Sequence, residues 1–291
     1  MFRNYLIALF SVICCMPASI FGQEQWHHGG FDSPVSIIQH GGFLYLSNSG
    51  NNFGTDVRDG DGYISRVRSD GSQEIPTLRY ITGLNNPRGI YAIQGTLYVC
   101  DIDRLVGFDL RTRNVVFEMS FAAENVTQLT GITSADDRIL YVSATDINAI
   151  FEVNLATRSY TKWAEVTAPT GLLIHNNQMY VTSMGTDSLP NGRLGVIDMR
   201  TRQYTHLTDT EGYLWGMALN GRRLYYSDWV QFAKRGVIRW VDLDTRATGV
   251  VNFTSRIGGP ADFMYDARND IFFIPAVLEN SVFGCMGFIR R

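Results

Sequence analysis

Lysine is nearly absent from this chain: Lys162 and Lys234 are the only two among 25 basic residues. No basic run occurs, and 28 acidic residues leave a net charge of −3, which argues against a nucleic-acid partner or an anionic membrane surface. The sequence has no G-x-S-x-G, H-E-x-x-H or C-x-x-C, so nucleophile-elbow, zinc-protease and dithiol chemistries have no motif to rest on. No segment carries a convincing helical period. Cysteine is scarce: of four, Cys14 and Cys15 fall in the first 23 residues, leaving Cys100 and Cys285.

Those first residues read as a leader. Arg3 precedes an apolar run from Tyr5 to Met16, followed by Pro17, Ala18, Ser19 and Gly22. That is the order of a secretory signal peptide, and the run is short for a membrane span. Cleavage is expected near Gly22 or Gln23, leaving residues 24–291 as one domain in the extracellular space or the periplasm. No membrane span then remains. Two sequons, at Asn125 and Asn252, would accept N-glycans in a eukaryotic host.

What the chain does contain is repetition. "FLYLSN" (43–48), "TLYVCD" (96–101), "ILYVSA" (139–144), "QMYVTS" (178–183), "RLYYSD" (223–228) and "DIFFIP" (270–275) recur at about 45 residues. In step run "FDLRTRNVV" (108–116), "VNLATRSYT" (153–161), "IDMRTRQYT" (197–205) and "VDLDTRATG" (241–249), each a strand, tight polar turn and strand. The turn slot that commonly takes glycine for its positive φ holds Arg113, Arg158, Arg202 and Arg246; only "VRSDGSQ" (67–73) keeps a glycine, Gly71. Ahead of each aromatic strand stands "SPVSI", "NPRGI", "LTGIT", "APTGL", "LWGMA" or "GPADF". Four strands in each of six units predict an all-β, six-bladed β-propeller. The last unit supplies three strands, so residues near 25–30 are expected to close the ring as its outer strand.

A bridge between Cys100 and Cys285 is not expected, because blade one stands between their blades and a disulfide needs Cα atoms within about 7 Å. Both thiols are read as buried packing.

In a propeller the first strand of each blade lines the channel. Its start shares a face with the end of the second strand and with the loops between second and third strands. Three such loops are long, 48–62, 183–192 and 228–236, and that face is the expected site of a ligand. Candidate contacts there are Asn48, Arg88, Asp101, Asp103, Thr130, Thr170, Trp215 and Asp262. "DVRDGDGYIS" (56–65) fails the calcium-loop pattern, since Tyr63 and Ile64 fall where an oxygen ligand and a glycine belong. His175, on an inner strand, is a candidate base; His27 and His28 lie near the processed end and are read as incidental.

The stretches "GLNNPRGI…GTLYVCDIDRLVGFDL", "GITSADDRILYVSATDINAIFEVNL", "LYYSDW" and "GPADFMYD…NDIFFIPAVLENSV" resemble secreted bacterial members of the senescence marker protein, gluconolactonase and luciferin-regenerating enzyme superfamily, with looser similarity to NHL-type propellers. The resemblance implies one divalent cation, usually calcium, at the channel mouth, polarising a lactone or ester carbonyl. Its glutamate slot falls on Asp32, its asparagine slots on Thr130 or Thr170, and its aspartate slot on Trp215, which cannot ligate; Asp228 and Asp262 are carboxylates nearby. The family metal site is therefore expected to be depleted. The leading expectation is a secreted propeller that binds a small or extended ligand at the channel mouth. The alternatives are a calcium-dependent lactone or ester hydrolase using Asp32 with Asp228 or Asp262, and a protein-interaction scaffold working through the three long loops.

Overall fold

A computed structural model describes residues 24–51, 53, 58–68, 77–230 and 235–286. The leader, the glycine-bearing turn within 69–76, and parts of two long loops (52 and 54–57, 231–234) lie outside these residues. Six four-stranded antiparallel sheets form the ring. An opening strand, β1 (Glu24–Gly29), precedes blade one, which comprises β2 (Pro34–His40), β3 (Phe43–Asn48), β4 (Gly62–Arg68) and β5 (Thr77–Leu84). Blade two is β6 (Pro87–Ile93), β7 (Thr96–Asp101), β8 (Arg104–Asp109) and β9 (Val115–Ser120). Blade three is β10 (Leu129–Asp136), β11 (Ile139–Ala144), β12 (Ala149–Asn154) and β13 (Ser159–Glu165). Blade four is β14 (Pro169–His175), β15 (Gln178–Ser183), β16 (Gly192–Asp198) and β17 (Tyr204–Gly212). Blade five is β18 (Leu214–Asn220), β19 (Arg223–Asp228), β20 (Val237–Asp242) and the short β21 (Thr248–Val250). Blade six holds β22 (Met264–Asp266), β23 (Ile271–Ala276) and β24 (Ser281–Met286). As expected, β1 pairs with β24 as the fourth strand, so the first strand of the described chain completes the last blade and closes the ring.

The core lies between blades. Cys100, Phe117 and Met119 of blade two pack against Leu140, Val142 and Phe151 of blade three, and equivalent clusters fill the other interfaces. Cys100 and Cys285 are buried and no disulfide joins them.

A polar belt ties the inner strands together. In four of the six blades the second strand presents a hydroxyl that accepts an N–H from its own bulged inner strand and donates to a carbonyl of the next. Ser47 accepts from Ser36 N (3.0 Å) and donates to Arg88 O (2.5 Å). Ser143 accepts from Gly131 N (2.7 Å) and donates to Thr170 O (2.6 Å). Thr182 links Gly171 to Trp215, and Ser227 links Gly216 to Ala261. Cys100 fills the same slot in blade two, its thiol reaching Gly131 O at 3.9 Å. The inner strands approach so closely that a Cβ at Gly89, Gly131 or Gly171 would lie 2.0–2.4 Å from a neighbouring carbonyl oxygen.

The hairpin turns give a reason for arginine at four positions. Arg113, Arg158, Arg202 and Arg246 all sit at positive φ, between 51° and 66°. Three of them reach back over an aromatic ring of the preceding blade: Arg113 over Tyr80 (5.7 Å), Arg158 over Phe117 (5.1 Å) and Arg202 over Trp163 (5.7 Å). A planar guanidinium stacks on such a ring, which an ammonium does less well and glycine cannot do at all. The strain of a left-handed residue is offset by a clasp between blades. In each turn an Asp or Asn accepts two backbone N–H groups; Asp109 does so from Arg111 and Thr112. Those bonds hold the Asp109, Asp198 and Asp242 carboxyls below their ordinary value.

Candidate functional site

The two ends of the channel are filled differently. Along β2, β6, β10, β14 and β18 the first four residues are buried, and burial loosens toward the far end. At the loop-side end, Trp215 and Trp229 stack with centroids 5.6 Å apart and 15° between planes. Phe53, from the 48–62 loop, lies 6.0 Å from Trp215 and 6.1 Å from Trp229. The Arg88 guanidinium sits 5.0 Å from the Phe53 ring and 5.8 Å from Trp215. Burial lowers the Arg88 pKa to about 10, opposed by Asp146, so it keeps its charge at neutral pH. Trp215 and Trp229 are each only 2% exposed. This cluster packs the channel on the side where the long loops emerge.

The turn-side end is open. A cavity of about 430 Å³ runs in among the far halves of the inner strands, walled by aliphatic residues such as Ile90, Ile132, Leu172 and Met217. Asp262 lies at its inner end. In the repeat alignment Asp262 occupies the slot that holds Gly89, Gly131, Gly171 and Gly216 in other blades; Ser36 occupies it in blade one. These two non-glycine residues are adjacent at the ring's seam, where a parallel bridge joins them. Ser36 Oγ donates to Asp262 Oδ2 (2.5 Å), and Asp262 N donates to Val35 O (2.9 Å). The local reason is Pro275. It takes the hydroxyl slot of blade six and has no side-chain donor, so Ser36 and Asp262 make the inter-blade link themselves. Asp262 Oδ1 accepts no hydrogen bond from the described residues. Burial pushes the Asp262 carboxyl up to about 6, against the Ser36 hydrogen bond, which lowers it.

The remaining candidates are spread around the ring. Asp101 is wholly buried and fully used: it accepts from Asn85 N (2.9 Å) and Asn86 N (2.8 Å) and pairs with Arg104 (2.8 Å). Asp103 pairs with Arg58 (2.9 Å). Asp228 accepts from Val230 N (2.7 Å) and Arg239 Nε (2.7 Å). Asp32 accepts from Tyr63 Oη (2.9 Å) and from Arg79 (3.4 Å). Thr130 Oγ1 bonds Thr145 Oγ1 (2.6 Å), and Thr170 Oγ1 bonds Leu214 O (2.9 Å), so both hydroxyls are committed to the ring. Asn48 Nδ2 donates to Ser65 Oγ (3.0 Å), while its buried Oδ1 has no partner among the described residues. His175 faces a separate groove of about 290 Å³ on the turn side, beside Arg222, Asp244 and Arg246. The sequon residues Asn125 and Asn252 are exposed.

Asp32, Asp228 and Asp262 are not brought together. No group of three or more His, Cys, Asp or Glu side chains among the described residues is placed to hold a metal ion. In the family's ligand slots, Thr130 is bonded to Thr145 within blade three, Thr170 to Leu214 O of the next blade, and Trp215 is spent on aromatic packing. The residues present thus do not fit the calcium site that the resemblance implies. Cys100 offers no nucleophile: burial, with Asp101 and Asp262 nearby, pushes its thiol well up.

Sequence reasoning placed Asp262 on the loop-rich face and missed the aliphatic wall of the turn-side cavity. The signal was present in the far halves of the inner strands, where Ile37-Ile38, Ile90, Ile132, Leu172-Leu173-Ile174 and Met217 recur.

No family model matches the chain, and no curated protein matches it in sequence. Solved structures do share its fold. An auxiliary nutrient binding protein from Bacteroides thetaiotaomicron is 11% identical with a TM-score of 0.66, covering 89% of this chain and 70% of that one. Virginiamycin B lyase from Staphylococcus aureus is 9% identical with a TM-score of 0.59, covering 90% of this chain and 98% of that one. A chain of a nidogen/laminin complex is 18% identical with a TM-score of 0.57, covering 77% of this chain and 82% of that one. At such identities the likeness shows the fold alone: this chain is a six-bladed β-propeller, and its structural neighbours are propeller proteins.

Proposed function

We propose that this is a secreted binding propeller that takes a small ligand into the turn-side end of its channel. The observation that carries the reading is the aliphatic cavity of about 430 Å³ with a single carboxyl at its inner end. Its size falls in the range of small-molecule sites, and its lining mixes aliphatic side chains with the polar groups of Gln39, Tyr91, Thr133, Ser134 and Tyr265. Secretion rests on the leader pattern of residues 1–23. Membership of the gluconolactonase-like superfamily rests on the repeat motifs, and on this reading the chain has kept the family's ring without its metal ligands.

Methionine-methyl NMR tests the proposal, because the two channel ends carry different reporters. Met217 lines the cavity, while Met184 packs against the loop-side aromatic cluster. Small apolar compounds that raise the melting temperature are expected to shift the Met217 methyl signal and leave Met184 in place. Compounds that move Met184 alone, or a library that never moves Met217, would overturn it.

A further inference from the structure

We propose that the cavity selects organic ammonium ions: ligands with an aliphatic or aromatic body and one cationic amine, the amine paired with Asp262. The inference rests on the reading of the cavity as a binding site and adds the chemical class of its occupant.

Three observations carry it. First, the lining contains one carboxyl and no Lys, Arg or His. An anionic ligand would face Asp262 with no counter-charge. Second, Asp262 Oδ2 is already engaged by Ser36 Oγ at 2.5 Å, whereas Oδ1 accepts nothing from the described residues. A strong acceptor is left available where the carboxyl meets the cavity. Third, the rest of the wall is uncharged: aliphatic side chains from five successive blades, Ile37, Ile90, Ile132, Leu172 and Met217, alternate with neutral polar groups such as Thr133 and Ser134.

The energetics follow from these placements. A neutral apolar occupant would displace water from a carboxylate and give no bond in return, and a buried charge without a partner is costly. An ammonium restores the lost hydration with a charge-assisted hydrogen bond to Oδ1, while its body covers the aliphatic wall. A neutral alcohol can donate one hydrogen bond to Oδ1 but leaves the carboxylate charge uncompensated, and the preference for the amine comes from that difference.

Asp262 has a second use as the seam's link to Ser36, and that use is compatible with binding because it occupies the other oxygen. In blades two to five the slot is glycine and in blade one it is Ser36, so none of the others carries a charge into the channel. Asp262 is what makes this end of the ring chemically distinct from a plain aliphatic tube.

The test compares 2-phenylethylamine with 2-phenylethanol, which match in body and differ in charge, by calorimetric titration of the full mature chain at pH 7.5. The amine is expected to bind at least tenfold more tightly. Asp262→Asn, which keeps the side-chain volume, is expected to abolish that preference while retaining the alcohol. Equal affinity for the two compounds, or an amine preference that survives in Asp262→Asn, would overturn the proposal with the binding site left standing. If neither compound binds the unmodified chain, both this proposal and the reading of the cavity as a site are wrong. The comparison on the unmodified chain decides even if the variant folds poorly.

Discussion

At the loop-side end of the channel, Trp215 and Trp229 stack on each other and pack against Phe53, with the Arg88 guanidinium over the Phe53 and Trp215 rings. At the turn-side end the same inner strands leave about 430 Å³ open in front of Asp262. Both ends are built on one repeat, so the difference lies in the few positions where the repeat is broken. Trp215 follows Leu214 at a point where other blades carry Arg88, Thr130 or Thr170, and Asp262 replaces a glycine. One end is held shut at its centre by aromatic packing. The other is held at its rim, where arginines of the hairpin turns clasp the preceding blade, and its centre can stay open.

The largest expected effect is at the closed end. Trp215→Ala removes a buried indole from the stack and should cost about 3–5 kcal/mol of stability, as large-to-small core changes of this size do. Denaturant melts measure it directly. A loss below about 1 kcal/mol would mean that the cluster is not what closes this end.

Asp262→Asn should act at the open end with the opposite sign. A carboxyl raised from its ordinary range to about 6 in the folded protein contributes stability that is present below the unfolded value and lost as pH rises through about 6. A shift of this size corresponds to up to about 3 kcal/mol, less where cavity water reaches the carboxyl. The variant should therefore be more stable than the parent at pH 7.5 and indistinguishable from it near pH 4. The hydrogen-bonded Asp109, Asp198 and Asp242 work the other way, losing stability as pH falls, so the difference between variant and parent is the quantity to follow. A variant less stable at pH 7.5 would show that the Ser36 bond outweighs the burial of the charge.

The smallest expected effect is at the rim. Arg158→Lys keeps the charge and the left-handed turn but loses the flat stack on Phe117 and the 3.0 Å bond from Nη2 to Val116 O. A cost of about 0.5–1 kcal/mol is expected, with the cavity unaffected. No change on melting would leave arginine at these turns without this explanation.

Much of the fold was legible because repetition is a one-dimensional signal. The aromatic strands, the D/N-x-x-T-R turns and the missing fourth strand of blade six each mark a position in the ring, and the closing strand, expected near residues 25–30, is found at Glu24–Gly29. The arginines' positive φ was legible too, since their slot aligned with Gly71. The site was less so. Repeats place Asp101, Asp228 and Asp262 on one ring level, yet they do not say which carboxylate is satisfied locally. Arg104 and two backbone N–H groups absorb Asp101; Arg239 and Val230 N absorb Asp228. Only a glycine slot occupied by an acid, opposite a proline that lacks a hydroxyl, marks Asp262 as different. That signal needs the hydroxyl belt to be known first. The closure of the loop-side end was hidden for a similar reason, because Phe53, Trp215 and Trp229 are far apart in sequence and meet only through three-dimensional packing.

The most direct test of the contrast between the two ends is a crystal structure of the mature chain with 2-phenylethylamine bound. The expected result is ligand density in the turn-side cavity, its nitrogen at hydrogen-bond distance from Asp262 Oδ1 and the Trp215–Trp229 stack undisturbed. Density on the loop side, with Phe53 or Trp215 displaced to admit the ligand, would contradict it.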